Sequence, residues 1–473
     1  MTIRIIGLGR GRVNLAAVVH RLCLLTLGLL GVFPAGVSGQ NVDAELVARL
    51  DSAARAHVES AIIPGVSVTV VRGGQTILQR GYGFVDLEWN TPTPRDGGAS
   101  YEIGSMTKQF TAAAVLLLVE EGLLDLDADL RDYVDFDTQG RLVTVRRLLD
   151  HTSGIRSYTE MEAFGEFMVH DLPRDSLLRA IEDVPFDFEP GTALIYNNSA
   201  YFLLGLIIEE VAGTSYEDFV QERLFAAAGM DESYYCSESL VRAERAHGYD
   251  AVGPDRVIRA RYLDHTWPYA AGSLCSTVGD LAEWNRALHG GEILTAGSYR
   301  ALTTPHPLED GTSIRYAMGL SVTDRGGHRQ IAHGGGINGF LSDGRYYPDE
   351  DLVVVVLQNS TGPVGPGALS SALVDLVLGE AAVPASDRFS GDLADLVGEY
   401  SGPARGVPMT LRVTADDGEM AVSVNGADPA TPRYSGELTW ALGGTHLIFE
   451  REDGRVVRAR FDAPSAHYVL TRR

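Results

Sequence analysis

The sequence predicts an α+β fold followed by a small all-β domain at the C-terminal end. Three observations carry this. Apolar strand-like runs stand at both ends of residues 40–380 with helical periodicity between them, so strands from the two ends are expected to share one sheet. Beyond residue 391, short alternating runs succeed one another across turn residues with no helical period. The 473 residues are 45% hydrophobic and 22% charged, enough for two or three domains with cores and unlike a disordered or collagenous chain.

Residues 43–61 place Leu46, Leu50 and Ala54 on one helical stripe. Val66–Val71 and Gln75–Gly83 then read as strands joined by Gly73-Gly74, a hairpin signal. A helix is expected from Met106 to Glu121, where Phe110, Ala113, Ala114, Leu117 and Leu118 share a face and Gly122 supplies the stop. Residues 140–300 alternate helical segments with polar loops, and the apolar stretch Tyr201–Val211 ends at Gly213. Strands return at Gln330–Ala332, Gly339–Tyr347 and Leu352–Gln358, before a last helix over Gly367–Leu378. Residues 381–391 hold Pro384, Ser386, Ser390 and Gly391 without apolar periodicity and read as a linker. Residues 392–473 form the small β-barrel-like domain. Met409, Leu411 and Val413 alternate toward Met420, Val422 and Val424 across Asp417-Gly418, and Asp453-Gly454 joins His446–Phe449 to Val456–Phe461.

A formal charge of −24 argues against nucleic acid or an anionic membrane as a partner, since both need a basic surface. Residues 1–39 carry Arg4, Arg10, Arg12 and Arg21 and no acid, then an apolar run Leu22–Phe33 and small residues to Gly39. That is the pattern of a cleaved signal peptide, too short in its apolar part to span a bilayer, so the chain is expected to be exported to a periplasmic or extracellular space with no stable membrane span. Cys236 and Cys275 are then the two cysteines left in an oxidising compartment, and they are expected to form one disulfide. The twelve histidines show no HExxH pattern and the cysteines no CxxC, so no metal site is expected.

Of the 39 basic residues, Lys108 is the only lysine. Lysine offers an amine that burial can deprotonate, which arginine does not. It stands in Gly104-Ser105-Met106-Thr107-Lys108 at the start of the predicted helix, where a spacing of three puts Ser105 and Lys108 one turn apart on one face. A desolvated lysine can take the proton of a serine hydroxyl, and the helix N-terminus favours charge developing there. Two further constellations follow. Tyr196-Asn197-Asn198-Ser199 immediately precedes the Tyr201–Val211 helix, where Asn and Ser also serve as ordinary caps. His333-Gly334-Gly335-Gly336 ends a strand, and its glycines allow a backbone to approach a ligand closely and offer N–H groups.

Together, in this order and spacing, the three constellations resemble the SxxK, YxN and HxG motifs of the serine β-lactamase and penicillin-binding-protein superfamily, and most closely its branch related to class C β-lactamases and D,D-peptidases. The resemblance runs from about Ala44 to Leu378 and includes Leu148-Leu-Asp-His-Thr-Ser-Gly154 and Phe188-Glu-Pro-Gly-Thr192. It implies a β-lactamase/transpeptidase-like domain, an antiparallel sheet flanked by helices with a helical subdomain. It also implies that Ser105 is the acylated nucleophile, Lys108 or Tyr196 its base, and Asn198 a hydrogen-bond partner of substrate and Lys108. His333 and Gly335 would face the substrate, and the N–H groups of Ser105 and Gly336 would form the oxyanion hole. His151 belongs to a family loop and reads as structural.

Many β-lactamases carry lysine where this chain has His333, so a weaker, pH-dependent anchor for a substrate carboxylate is expected here. The resemblance thus implies a serine hydrolase acting through an acyl-enzyme on D-amino-acid peptides or amides, esters and β-lactams. A small-molecule or peptide would be its partner, and no cofactor is implied. The alternative is a penicillin-recognising sensor or cell-wall-binding protein that acylates without turnover. None of the three motifs lies beyond Gly336, so the C-terminal β-domain is expected to be dispensable for acylation.

Overall fold

Leu352–Gln358 is apolar at every position but the last and buried on both faces, which is what a strand needs when helices cover both sides of its sheet. In the computed structural model, which describes residues 43–60, 62–253, 256–380 and 389–473, this strand lies at the centre of an antiparallel sheet. The proposed signal peptide and residues 381–388 of the expected linker lie outside the described residues.

The strands of that sheet are β1 (Gly65–Arg72), β2 (Gln75–Asp86), β3 (Thr91–Pro92), β5 (Ser321–Arg325), β6 (His328–Ile337), β7 (Phe340–Tyr347) and β8 (Leu352–Gln358); β4 (Leu194–Ile195) lies apart. Their order is β5-β6-β7-β8-β1-β2-β3, so the N- and C-terminal strands do share one sheet, with Val68 opposite Val356 in the β1–β8 register. Side chains alternate across it as the pleat requires. Val66, Val68, Val70, Val354 and Val356 pack with Leu50 and Ala54 of α1 (Ala44–Ser60) and with Leu369 and Leu373 of the C-terminal helix Pro366–Leu378. Val353, Val355 and Leu357 face the opposite cluster, which holds α2 (Thr107–Glu120) and α3 (Asn198–Ala212). Because α2 is buried almost all round, it is apolar on nearly every side rather than striped.

Cys236 and Cys275 are joined, the latter in a small sheet in which Leu274–Ser276 pairs with both Tyr101–Glu102 and Tyr234–Tyr235. Toward the C-terminal end, antiparallel strands run from Gly398 to Arg472 with their own core around Tyr400, Trp440, Phe449 and Leu470. The last of them, Ala466–Arg472, pairs with β4, setting Ala466 opposite Ile195 and His467 opposite Leu194. The C-terminal region is therefore knitted to the segment that leads into Tyr196. No helix among the described residues is long and apolar enough to cross a membrane.

Candidate active site

Ser105 sits in a 3₁₀ turn, Gly104–Met106, that feeds directly into α2, rather than in the α-helix itself. Gly104 has φ +52°, and a Cβ there would lie 3.0 Å from the Gly336 nitrogen. At Gly335 a Cβ would lie 2.0 Å from the Ile103 carbonyl oxygen. The glycine run of β6 thus lets a strand backbone lie directly on the serine turn, and from the neighbouring β7 the Ser342 hydroxyl, opposite Gly335, donates to the Ile103 carbonyl at 2.8 Å.

Lys108, one turn further on, is fully buried. Its Nζ is 2.8 Å from Asn198 Oδ1, 2.8 Å from the Ala271 carbonyl oxygen and 3.1 Å from Ser105 Oγ. Burial, with the nearby Arg405 charge adding to it, holds the amine well below the usual lysine range. A neutral amine has two N–H donors and one lone pair. Asn198 Oδ1 and the Ala271 carbonyl can only accept, so they use both hydrogens and leave the lone pair for the Ser105 hydroxyl. This arrangement can remove a proton from Ser105.

Tyr196 follows β4, with its ring centroid 4.8 Å from Lys108 Nζ. Burial raises its phenol, while the Ser105 hydroxyl and Arg405 partly offset the rise. Its hydroxyl is therefore protonated at neutral pH and suited to giving a proton to a leaving group. Behind it lies His151, at 4.4 Å between ring centroids, whose Nδ1 accepts from the Asn197 N–H at 3.2 Å and whose carbonyl accepts from the Ile195 N–H. Fully buried and kept neutral chiefly by desolvation, His151 supports the tyrosine loop from beneath, in keeping with its structural reading. Asn197 caps α3 by accepting from the Ala200 N–H, which frees Asn198 to face Lys108.

His333 departs from the expected pH-dependent anchor. It lies on the cleft wall but is buried, and both ring nitrogens are engaged. Nδ1 contacts the Gly334 carbonyl, which can only accept, so Nδ1 carries the hydrogen and Nε2 accepts from the Tyr316 hydroxyl at 2.9 Å. Desolvation is the main cause that pushes its pKa down to about 3. The ring is neutral across the physiological range and offers no cation to a substrate.

All the residues picked out by the three motifs thus converge, most of them on one cleft of about 680 Å³. Ser105, Tyr196, Asn198, His333, Gly335 and Gly336 line it, with Lys108 beneath. The C-terminal region, expected to be dispensable for acylation, contributes to the same cleft, where Arg405, Pro464–Ala466 and Tyr468 form part of the wall. Sequence reasoning missed these and Tyr316, which lies outside any periodic segment. For Arg405 the only signal was a lone arginine in the glycine- and proline-flanked stretch Gly402-Pro-Ala-Arg-Gly406. Among the described residues, two groups have metal-ligand chemistry, Asp86/Glu88/His247 and Glu102/Glu238/His265. Neither contributes to the cleft lining; Glu88 already pairs with Arg259, and Glu102 and Glu238 pair with Arg245.

A family model described as Beta-lactamase matches residues 50–378. Among curated relatives, a D-aminopeptidase from Brucella anthropi is 31% identical over 320 residues, 67% of this chain, which spans only 59% of that relative's length. A D-aminopeptidase from Brucella ovis is 28% identical over 418 residues, 86% of this chain and 76% of the relative. Among solved structures, the octameric penicillin-binding protein homologue from Pyrococcus abyssi superimposes with a TM-score of 0.63 at 26% identity, over 90% of this chain and 100% of that one. A D-stereospecific amidohydrolase from Streptomyces sp. gives a TM-score of 0.60 at 25% identity, over 71% of this chain and 99% of that one.

Proposed function

This chain belongs to the beta-lactamase family, and from that premise we propose that it is an exported serine hydrolase that cleaves amide bonds of D-amino-acid amides or peptides through an acyl-enzyme, with esters and β-lactams as slower substrates. In this reading residues 40–380 are the hydrolase domain and 392–473 an appended β-domain. Ser105 Oγ attacks the substrate carbonyl carbon as its proton passes to the Lys108 lone pair. The oxyanion rests on the N–H groups of Ser105 and Gly336, whose backbones Gly104 brings together. When the C–N bond breaks, the leaving amine takes a proton from Tyr196, which recovers one from the Lys108 ammonium. Water then attacks the ester, gives a proton to the same base, and releases the acid as that proton returns to Ser105.

The observation that carries this is the buried Lys108, whose Nζ lies 2.8 Å from two groups that only accept, Asn198 Oδ1 and the Ala271 carbonyl, and 3.1 Å from Ser105 Oγ, in surroundings that favour its neutral form. The Cys236–Cys275 disulfide supports export. The test is a panel of D-amino-acid anilides, D-Ala-D-Ala peptides, acyl esters and a cephalosporin, run on wild type and Ser105→Ala. Multiple turnover that disappears in Ser105→Ala is the expected result. A stoichiometric Ser105 adduct without turnover would instead identify a sensor.

A further inference from the structure

Among the described residues the cleft has one permanently charged side chain in its lining, Arg405, and the C-terminal β region supplies it. Its guanidinium carbon lies 5.6 Å from the centroid of the Tyr196 ring, on the residue assigned to protonate the leaving group. The side chain is held from behind. Nε is 2.7 Å from Glu160 Oε1, and Nη2 donates to Thr159 Oγ1 at 2.9 Å. The loop that carries it is docked so closely that a Cβ at Gly406 would lie 2.9 Å from Glu160 Oε2. Thr159 Oγ1 also accepts from Asn198 Nδ2 at 3.4 Å, so the arginine is fixed to the same framework as Lys108. These contacts use the Nε edge of the fork and one Nη2 hydrogen, and Nη1 keeps its donors for a ligand.

The rest of the cleft makes this arginine decisive. His333, at the motif position where a cation would be expected, is neutral with both nitrogens engaged. No carboxylate lines the cleft among the described residues, so the lining offers a cation no charged partner. A guanidinium presented in a partly enclosed cleft matches a carboxylate in charge and in fork geometry.

We propose that Arg405 is the specificity-determining residue of the cleft and recognises a carboxylate on the substrate. The proposal rests on the serine hydrolase reading. The carboxylate has two chemical sources, the C-terminal group of a peptide, on the leaving side of the scissile bond, or an acidic side chain on the acyl side. The position over Tyr196 favours the first.

Two matched pairs test it in the full chain. N-acetyl-D-Ala-D-Ala against its C-terminal carboxamide reads the leaving side, and D-Glu p-nitroanilide against D-Gln p-nitroanilide reads the acyl side. Wild type is expected to favour the carboxylate member of one pair in kcat/KM by roughly 10–100-fold, the range of a charge-assisted bidentate contact. Arg405→Ala should collapse that ratio toward about one, and Arg405→Lys, which keeps the charge but not the fork, should retain part of it. A merely structural defect would lower both members of a pair and leave their ratio in place. A wild-type ratio near one in both pairs, or a ratio that persists in Arg405→Ala, overturns the proposal while Ser105-dependent turnover keeps the hydrolase reading. Absence of Ser105-dependent turnover on every substrate overturns both.

Discussion

The Tyr316 hydroxyl donates to Nε2 of His333 at 2.9 Å, from a position that is itself almost fully buried. With Nδ1 committed to the Gly334 carbonyl, this contact turns a histidine that reads in sequence as a substrate anchor into part of the wall. It engages the second ring nitrogen, while desolvation keeps the ring neutral.

Tyr316→Phe preserves the ring packing against Leu194, Leu308 and Ile314 and removes only the donor. Nε2 is then a buried acceptor without a partner, so a destabilisation of about 1–3 kcal/mol is expected. Urea unfolding should show a lower midpoint at an unchanged slope. An unmoved midpoint would show that the nitrogen is satisfied in some other way.

The C-terminal region gives a second prediction, opposite to the one its lack of motifs invites. A chain ending near Glu380 loses Arg405, the wall at Pro464–Ala466 and the strand that pairs with Leu194–Ile195 directly before Tyr196. Small displacements of a catalytic group are costly, so acylation of Ser105 should slow by roughly 10²-fold. Intact-mass measurement of the adduct against time reads this directly. A folded truncation that acylates at the full-length rate would show that β4 and Tyr196 hold their places unaided.

The contrast between these two regions shows what the sequence makes legible. Ser105 and Lys108 could be paired from spacing alone because a single turn of chain connects them. The α3 helix was readable from its apolar run and its flanking Asn and Gly. Strands β1 and β8 showed themselves as apolar runs because both their faces are buried. Arg405 reaches the cleft through tertiary contacts alone, the two-residue ladder of Ala466–His467 on Leu194–Ile195 and the docking of its own loop on Thr159 and Glu160, and neither carries a period to read. Tyr316 likewise lies in irregular chain, where neither helical nor strand spacing announces which way a side chain points.

Asp150 supplies a pH test. It is buried beside His151, accepts from the Thr152 N–H and hydroxyl at Oδ1, and is pushed up to about 6 by desolvation. A carboxyl whose folded pKa exceeds its unfolded value stabilises the fold fully below the unfolded value, near 3.8, and loses that contribution as pH rises through 6. Asp150→Asn keeps an oxygen acceptor for Thr152 and does not titrate. Its stability relative to wild type should therefore climb between pH 4 and 6 by about 2–3 kcal/mol and level off above, since a pKa unit is worth about 1.4 kcal/mol. The buried histidines are common to both proteins and cancel in the difference. Denaturant unfolding at pH 4, 5, 6 and 7.5 checks it; a constant difference would mean that Asp150 ionises alike in both states.

The mechanism stands or falls on Lys108. Arginine has been used at every other basic position of this chain, so at a surface site Lys108→Arg would be silent. Here the side chain is fully buried and its Nζ meets three partners within 3.1 Å. Arginine has no lone pair to offer at any accessible pH, because its pKa lies above about 12. Proton removal from Ser105 should then fail, with a loss of roughly 10²–10⁴-fold in the acylation rate. The larger guanidinium also overfills the site, at about 1–3 kcal/mol of stability, so the rate must be scored per folded molecule after thermal unfolding has set the folded fraction. The wild-type enzyme supplies a second readout. With the amine well below the usual lysine range, acylation should rise with pH through the Lys108 ionisation and then level off, because only the neutral form accepts the proton. The arginine variant should lack that limb. If it acylates near the wild-type rate with the same pH dependence, Lys108 is not the base, and Tyr196 must take the proton instead.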